Sequence, residues 1–218
     1  DSTMVAAHRS GCESTEQVVA VGSGDDVASL PMGTDRRPGA SVAWLFVTVY
    51  RADMSFRTHR RQAARVVVLD RADRVLLIES RDPADPANGS WWEIPGGGMD
   101  PGESSAACAA RELREEAGIV RAEIGPVVWT QSVQFTFAGL FFDQDEFIHV
   151  AWTDQTELAA PTLELFEAMA FQGSRWWTVD EVVGADTAFL PPRLPELLPA
   201  LVDGRLPDPP LDISPDRQ

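Results

Sequence analysis

Lysine is missing from this chain: all eighteen basic residues are arginine. We read that bias as base composition of the coding sequence more than as function. Basic residues of any kind are scarce beside 34 acidic ones, and the net charge is −16. That excludes duplex nucleic acid as a partner, because no broad basic face can be assembled against many phosphates. Cysteine is nearly absent too. Cys12 and Cys108 sit in very different settings, so no disulfide framework is expected and a reducing cytoplasm fits. No apolar run approaches the ~20 residues of a membrane span. The nearest is Val42–Val49, with WLFVTV at its heart. No basic start precedes it, so it does not read as a signal peptide either. The 218 residues are 44% hydrophobic, enough for one core of ordinary size with an extra segment.

What is present is concentrated in Gly96 to Ile119, GGGMDPGESSAACAARELREEAGI. A glycine turn feeds a short helix that carries a fan of carboxylates. Pro101-Gly102 sets the turn, Ser104 or Ser105 is the N-cap, and Gly118 is a left-handed C-cap. At ~100° per residue, Ala106, Ala110, Leu113 and Ala117 share a narrow apolar stripe that lets the helix press against a sheet. Glu112 and Glu116 are one turn apart with Glu115 beside them, and Arg111 is spaced to pair with Glu115. Crowded carboxylates repel and push at least one pKa up unless a cation sits among them. An acidic helix is most often just a solvated face. Here the alternative is a site for divalent metal and a phosphate chain, since Mg²⁺ takes oxygen ligands and keeps substrate phosphates in its shell. Glycine lets the backbone carbonyls of Gly96–Gly98 approach closely enough to add ligands.

Gly97, Glu103, Arg111, Glu112, Leu113, Glu115, Glu116, Gly118 and Ile119 match every defined position of the Nudix box. The chain therefore resembles the Nudix hydrolases, more weakly over about Arg57 to Leu206. The resemblance implies an α/β fold, an α/β/α sandwich with a central mixed sheet. It implies Glu112 and Glu116 as metal ligands, Glu115 in or beside the shell, and the Gly96 carbonyl helping. Glu103 becomes a supporting acid, and Arg111 orients the glutamates. The cofactor implied is Mg²⁺, with Mn²⁺ as a substitute. The partner implied is a small nucleotide, with no duplex nucleic acid and no membrane; a homodimer is compatible with it.

Taken in order, residues 1–55 hold no sustained period until Ala43–Tyr50. That run is a strand added to a sheet edge, or leader sequence upstream of a start at Met54; the whole segment is expected to be disordered or peripheral. Residues 56–206 form the domain. Arg57, Arg60 and Arg61 precede, and Arg65 falls at the start of, a hairpin, Ala64–Leu69 and Val75–Ile78. They either steer an anionic substrate or form the solvated start of a strand. Arg81 ends the second strand where Nudix proteins often have a basic residue near the substrate. Trp91-Trp92-Glu93-Ile94-Pro95 is a strand leading into the glycines, with one tryptophan facing the core and the other the cleft; base stacking is open to either, and Trp92 is the substrate-binding candidate. Glu123–Ser132 and Phe147–Thr153 read as strands. Between them Phe135–Phe142, with Phe137 at its centre, lines a pocket or simply packs. His149, in a strand, is more often structural than catalytic. By the family's register, Glu167, eight residues before Arg175-Trp176-Trp177, is the candidate for an extra metal ligand or base, with a surface glutamate as the alternative. Pro192–Val202 is a closing helix, and 207–218 a proline-rich tail.

The resemblance implies hydrolysis of a phosphoanhydride, with Glu112 as base or water-preparing ligand and Glu167 as the alternative base. About sixteen residues past the box, ADP-ribose hydrolases tend to place a proline and dinucleoside polyphosphate hydrolases a tyrosine. This chain has Phe135-Thr136-Phe137 there, and Gln131–Phe137 does not match the NADH-hydrolase signature. A nucleoside triphosphate or other nucleoside diphosphate derivative leads. An ADP-ribose or NDP-sugar pyrophosphatase and a non-catalytic nucleotide sensor are the alternatives. The isoprenyl diphosphate isomerase branch departs from the standard box, and this chain does not.

Overall fold

The computed structural model describes residues 58–215, apart from residue 164 and the side chain of residue 166. The readings for residues 1–55 and for Arg57 lie outside the described residues.

The central strand is β1 (Thr58–Leu69). Ala64, Val66 and Val68 point to one core and Val67 and Leu69 to another. Both faces are covered, which is why its second half is continuously apolar. The hairpin to β2 (Val75–Arg81) is closed by Asp70, whose Oδ1 accepts from the Ala72 and Arg74 N–H groups at 2.9 Å. Next come β3 (Ser90–Glu93), β4 (Gly96–Gly98) and helix α1 (Ser105–Ala117).

Strands β5 (Ala122–Phe137) and β6 (Leu140–Thr153) form a hairpin longer than the two separate strands the sequence implies. Its turn, Ala138-Gly139, has φ of 51° and 78°, a two-residue connection that matches strand twist. Phe135–Phe142 is the tip of that hairpin. Helix α2 (Leu165–Ala170), β7 (Phe171–Trp177), α3 (Val179–Gly184), β8 (Phe189–Leu190), α4 (Leu194–Val202) and β9 (Leu211–Asp212) complete the chain.

The sheet is mixed, in the order β8-β3-β2-β1-β6-β5-β9, with β4 on β1 and β7 on β2. β1 and β6 run parallel from Thr58↔Phe141 to Leu69↔Trp152. Helix α1 covers one face; α3 and α4 cover the other with Val182, Leu194, Leu198 and Leu201. These are the α/β/α layers expected.

Two local readings change. The buried stripe of α1 is Cys108, Ala109, Glu112, Leu113 and Ala117, while Ala110 is exposed. The helix is rolled so that Glu112, not an alanine, enters the interior. The expected proline-rich tail also ends in the fold. β9 pairs with β5, and Ile213 is buried in the core beneath α4. A two-residue strand is too short to show a period.

Candidate metal and phosphate site

The expected glycine turn is a short strand. Gly96–Gly98 pairs antiparallel with Arg65–Ala63 of β1. Gly96 has φ of +147°, and a Cβ on Gly97 would lie 2.6 Å from Glu112 Oε1. Bare backbone is what lets α1 bring a carboxylate this close. The caps are as expected. Ser104 Oγ accepts from the Ala107 N–H at 3.2 Å, and Gly118 at φ 68° donates to Arg114 O at 3.0 Å.

Arg111 organises the carboxylates. It donates to both oxygens of Glu103 at 3.0 Å, to Glu112 Oε1 at 2.8 Å, to Glu115 Oε2 at 3.1 Å and to Gly98 O at 2.9 Å. The bond from Arg111 holds the Glu103 carboxyl down at about 2. Glu112 is 3% exposed. Burial lifts its pKa to about 7 against the pull of Arg111, with the charges of Glu167 and Glu115 adding to the rise. Glu116 Oε2 accepts from the Gly96 N–H at 2.9 Å. Burial, then the charges of Glu112 and Glu93, push its pKa well up.

Among the described residues, no three His, Cys, Asp or Glu side chains stand gathered as a metal-ligand set. The donors fit a hard divalent cation in their chemistry. Glu112, Glu115, Glu116 and the Gly96 carbonyl all offer oxygen, and burial together with neighbouring carboxylate charge raises the pKa of Glu112 and Glu116, a cost that a cation would relieve.

A second polar cluster borders the first. Arg65 donates to Glu93 Oε2 at 3.1 Å and Glu146 Oε1 at 3.0 Å, so its guanidinium is committed to carboxylates. Glu146 is buried and also accepts from Gln131 and Gln144. Burial works to raise the Glu146 pKa, but Arg65 and these hydrogen bonds hold it below the usual range. Arg61 donates to Gln144 Oε1 and lies 4.6 Å over the Phe142 ring. Burial and the Arg65 charge lower its pKa.

The remaining candidates scatter. Arg81 is exposed at the end of β2, opposite Ser90. Trp92 is the core-facing tryptophan, edge-on to Trp177 at 4.9 Å. Trp91 turns instead toward Phe137, 6.4 Å away. Glu167 lies on α2, and its charge reaches both Glu112 and Arg61. His149 is structural: Nδ1–H donates to Gly125 O at 2.9 Å, and Nε2 lies 3.0 Å from Ser105 Oγ. The buried Cys108 thiol is pushed up to about 11 by burial, which disarms it as a nucleophile. An open hollow of about 330 Å³, lined by Leu69, Arg121, Trp152 and Asp154 among others, contains none of the box glutamates.

Glu93, Gln131, Gln144 and Glu146 were not singled out from the sequence. Their signal is faint: Gln144 and Glu146 are polar residues at strand spacing ahead of an apolar run, where a solvated face is the ordinary expectation.

The NUDIX domain family model matches residues 59–201. The chain belongs to the Nudix hydrolase family. It is 40% identical over 68 residues to an RNA pyrophosphohydrolase of Erythrobacter litoralis, covering 31% of this chain and 39% of that one. It is 32% identical over 119 residues to a CMP-5'-(N-acetyl-N-hydroxy-3-aminopropyl)phosphonate hydrolase of Streptomyces rubellomurinus, covering 55% and 52%. The chain thus spans about half or less of the length of these curated relatives. Among solved structures, a MutT protein from Methanosarcina mazei Go1 is similar, at 19% identity and a TM-score of 0.47, covering 69% of this chain and 97% of that one. Among the described residues of this Nudix domain, no helix is long and apolar enough to cross a membrane.

The raised glutamates predict a pH dependence. Between about pH 4.5 and 7, folded Glu112 keeps a proton that the unfolded chain gives up. The folded state then binds more protons, so stability falls as pH rises through that window. Glu103, with its pKa near 2, is already ionised there and does not blur the effect. Metal-free protein is expected to lose on the order of 2–3 kcal/mol between pH 5 and 8 from this group. Thermal melts in chelator check it, and a melting temperature that rises over that range would contradict the burial of Glu112.

Proposed function

We propose that this domain hydrolyses a phosphoanhydride bond in a nucleoside diphosphate linked to another group, with a nucleoside triphosphate as the leading substrate. Mg²⁺, or Mn²⁺ in its place, would be held by Glu112, Glu115, Glu116 and the Gly96 carbonyl. One observation carries this reading. Glu112 is almost wholly buried, lifted to about 7, and packed against a strand whose glycine leaves it room.

Nudix hydrolases generally use divalent cations; when bound, such an ion supplies charge neutralisation and an acidified water. The chain's own groups do the rest. Glu112, buried against Gly97 and oriented by Arg111, is the first candidate for accepting the proton of the attacking water. Arg111 fixes Glu112 and Glu115, and is itself anchored by Glu103 and Gly98. Glu167 is the second candidate for the base, since its charge already reaches Glu112. By their names, one relative is an RNA pyrophosphohydrolase and the other hydrolyses a CMP-linked phosphonate. Both names support a nucleotide phosphate as the substrate class.

The test is a panel of nucleoside triphosphates, ADP-ribose and NDP-sugars incubated with Mg²⁺, read as phosphate, pyrophosphate or nucleoside monophosphate release. Turnover that stops with chelator is expected. Nucleotide binding without release from any member would replace the enzyme with a sensor.

A further inference from the structure

We propose that Gln155 is a positioning residue: its side chain registers a strap, residues 155–162, on the C-terminal end of α1, and the strap sets how far Glu167 reaches toward Glu112. The inference rests on the phosphoanhydride reading above, in which Glu167 is the second candidate for the base.

The last carbonyls of a helix have no partner inside it. At the end of α1, one segment takes several of them. Glu115 O accepts from the Thr162 N–H at 2.7 Å, and Ala117 O from the Ala159 N–H at 3.1 Å. Gly118 O accepts from Gln155 Nε2 at 2.8 Å, and Gln155 Oε1 in turn accepts from the Val120 N–H at 3.1 Å. The Gln155 side chain thus meets the chain as a peptide unit would, with one donor and one acceptor. Its backbone N–H donates to Thr153 Oγ1 at 3.0 Å, which anchors it to the end of β6. Ala159 lies so close to Gly118 that a Cβ on the glycine would run into it. Leu158 packs against the core that α1 covers, and Trp176 Nε1 donates to Thr156 O at 3.0 Å.

The order of these bonds gives them their meaning. Positions 155, 159 and 162 meet positions 118 and 120, then 117, then 115. The strap therefore runs back along α1, from its C-terminal end toward Glu112. Continued in that sense the chain enters α2, and the charge of Glu167 is felt at Glu112. Gln155 is where the register begins, so a slip there shifts every later partner and the reach of α2. Misplacing a reacting group by about 1 Å can cost on the order of 10² in rate. A loosened strap should therefore appear in kcat more than in KM.

The experiment is a double-mutant cycle on the nucleotide turned over fastest in the panel above, with Mg²⁺, using wild type, Gln155→Ala, Glu167→Gln and the pair. Gln155→Ala is expected to lower kcat about tenfold with KM within about twofold. The pair is expected to be no more than about twofold slower than Glu167→Gln alone. Effects that multiply instead make Gln155 a cap for α1 and overturn the proposal. So does a Glu167→Gln variant with unchanged kcat, which leaves hydrolysis with Glu112 as the base standing. Gln155→Glu still accepts from Val120 but cannot donate to Gly118, so its kcat is expected to fall between. It takes the place of Gln155→Ala in the cycle should that variant fold poorly. Amide hydrogen exchange separates the inference from the enzyme reading. Faster exchange over residues 159–170 in Gln155→Ala, with the middle of α1 unchanged, supports the strap even if no nucleotide is turned over. Exchange unchanged over that span overturns it.

Discussion

Glu112→Gln is expected to lower kcat by about 10³-fold while raising the stability of the metal-free protein at pH 8. Both effects come from one cause. The carboxylate is 3% exposed, Glu115 and Glu167 add charge around it, and a single bond from Arg111 offsets this only in part. Above pH 7 the fold must hold that charge without a cation. The amide is nearly the same size, can still accept from Arg111 and carries no charge to bury. It neither accepts a proton nor holds a cation, so turnover is lost. Activity assays and chelated melts on one preparation settle the matter. A glutamine variant that retains hydrolysis removes Glu112 from the chemistry. One that loses both activity and stability makes Glu112 a structural residue instead. The pH slope between 5 and 8 is also expected to flatten in this variant, since its source has been removed.

The same residue shows where sequence reasoning reaches and where it stops. Fixed spacing put Glu112 on a short helix with Glu116 one turn on, and the C-cap Gly118 and, to within one residue, the N-cap Ser104 were readable because capping is local chemistry. The hairpin of β1 and β2 was readable for the same reason. The roll of α1 was not, because a stripe of alanines marks which residues tolerate burial and not which are buried. Ala110 faces solvent so that Glu112 can face Gly97. The second polar cluster depends on the parallel pairing of β1 with β6, which brings Arg65 to Glu146 across 81 positions. Nothing local to either strand records that contact. Glu167 was placed by family register alone, and its field at Glu112 emerges only in three dimensions.

Gly96→Ala is expected to be the most damaging small substitution in the domain, costing roughly 3–5 kcal/mol. Two independent penalties meet at this position. Its φ of +147° lies where L side chains are strained whatever the space. The added Cβ would also sit 2.4 Å from Ala64 O and 2.5 Å from Arg65 Cα. Both are backbone atoms of the central strand, so no rotamer change relieves them. β4 would have to leave β1, and with it would go the Gly96 N–H to Glu116 bond and the Gly98 carbonyl that anchors Arg111. Gly102→Ala isolates the first penalty. Gly102 has φ of +83° but nothing within 4 Å of its added Cβ, so its loss should be only about 1 kcal/mol. Urea unfolding of the two variants gives the difference directly. If Gly96→Ala costs no more than Gly102→Ala, then β4 does not lie against β1 as described, and the carboxylates of α1 are not where the proposed chemistry needs them.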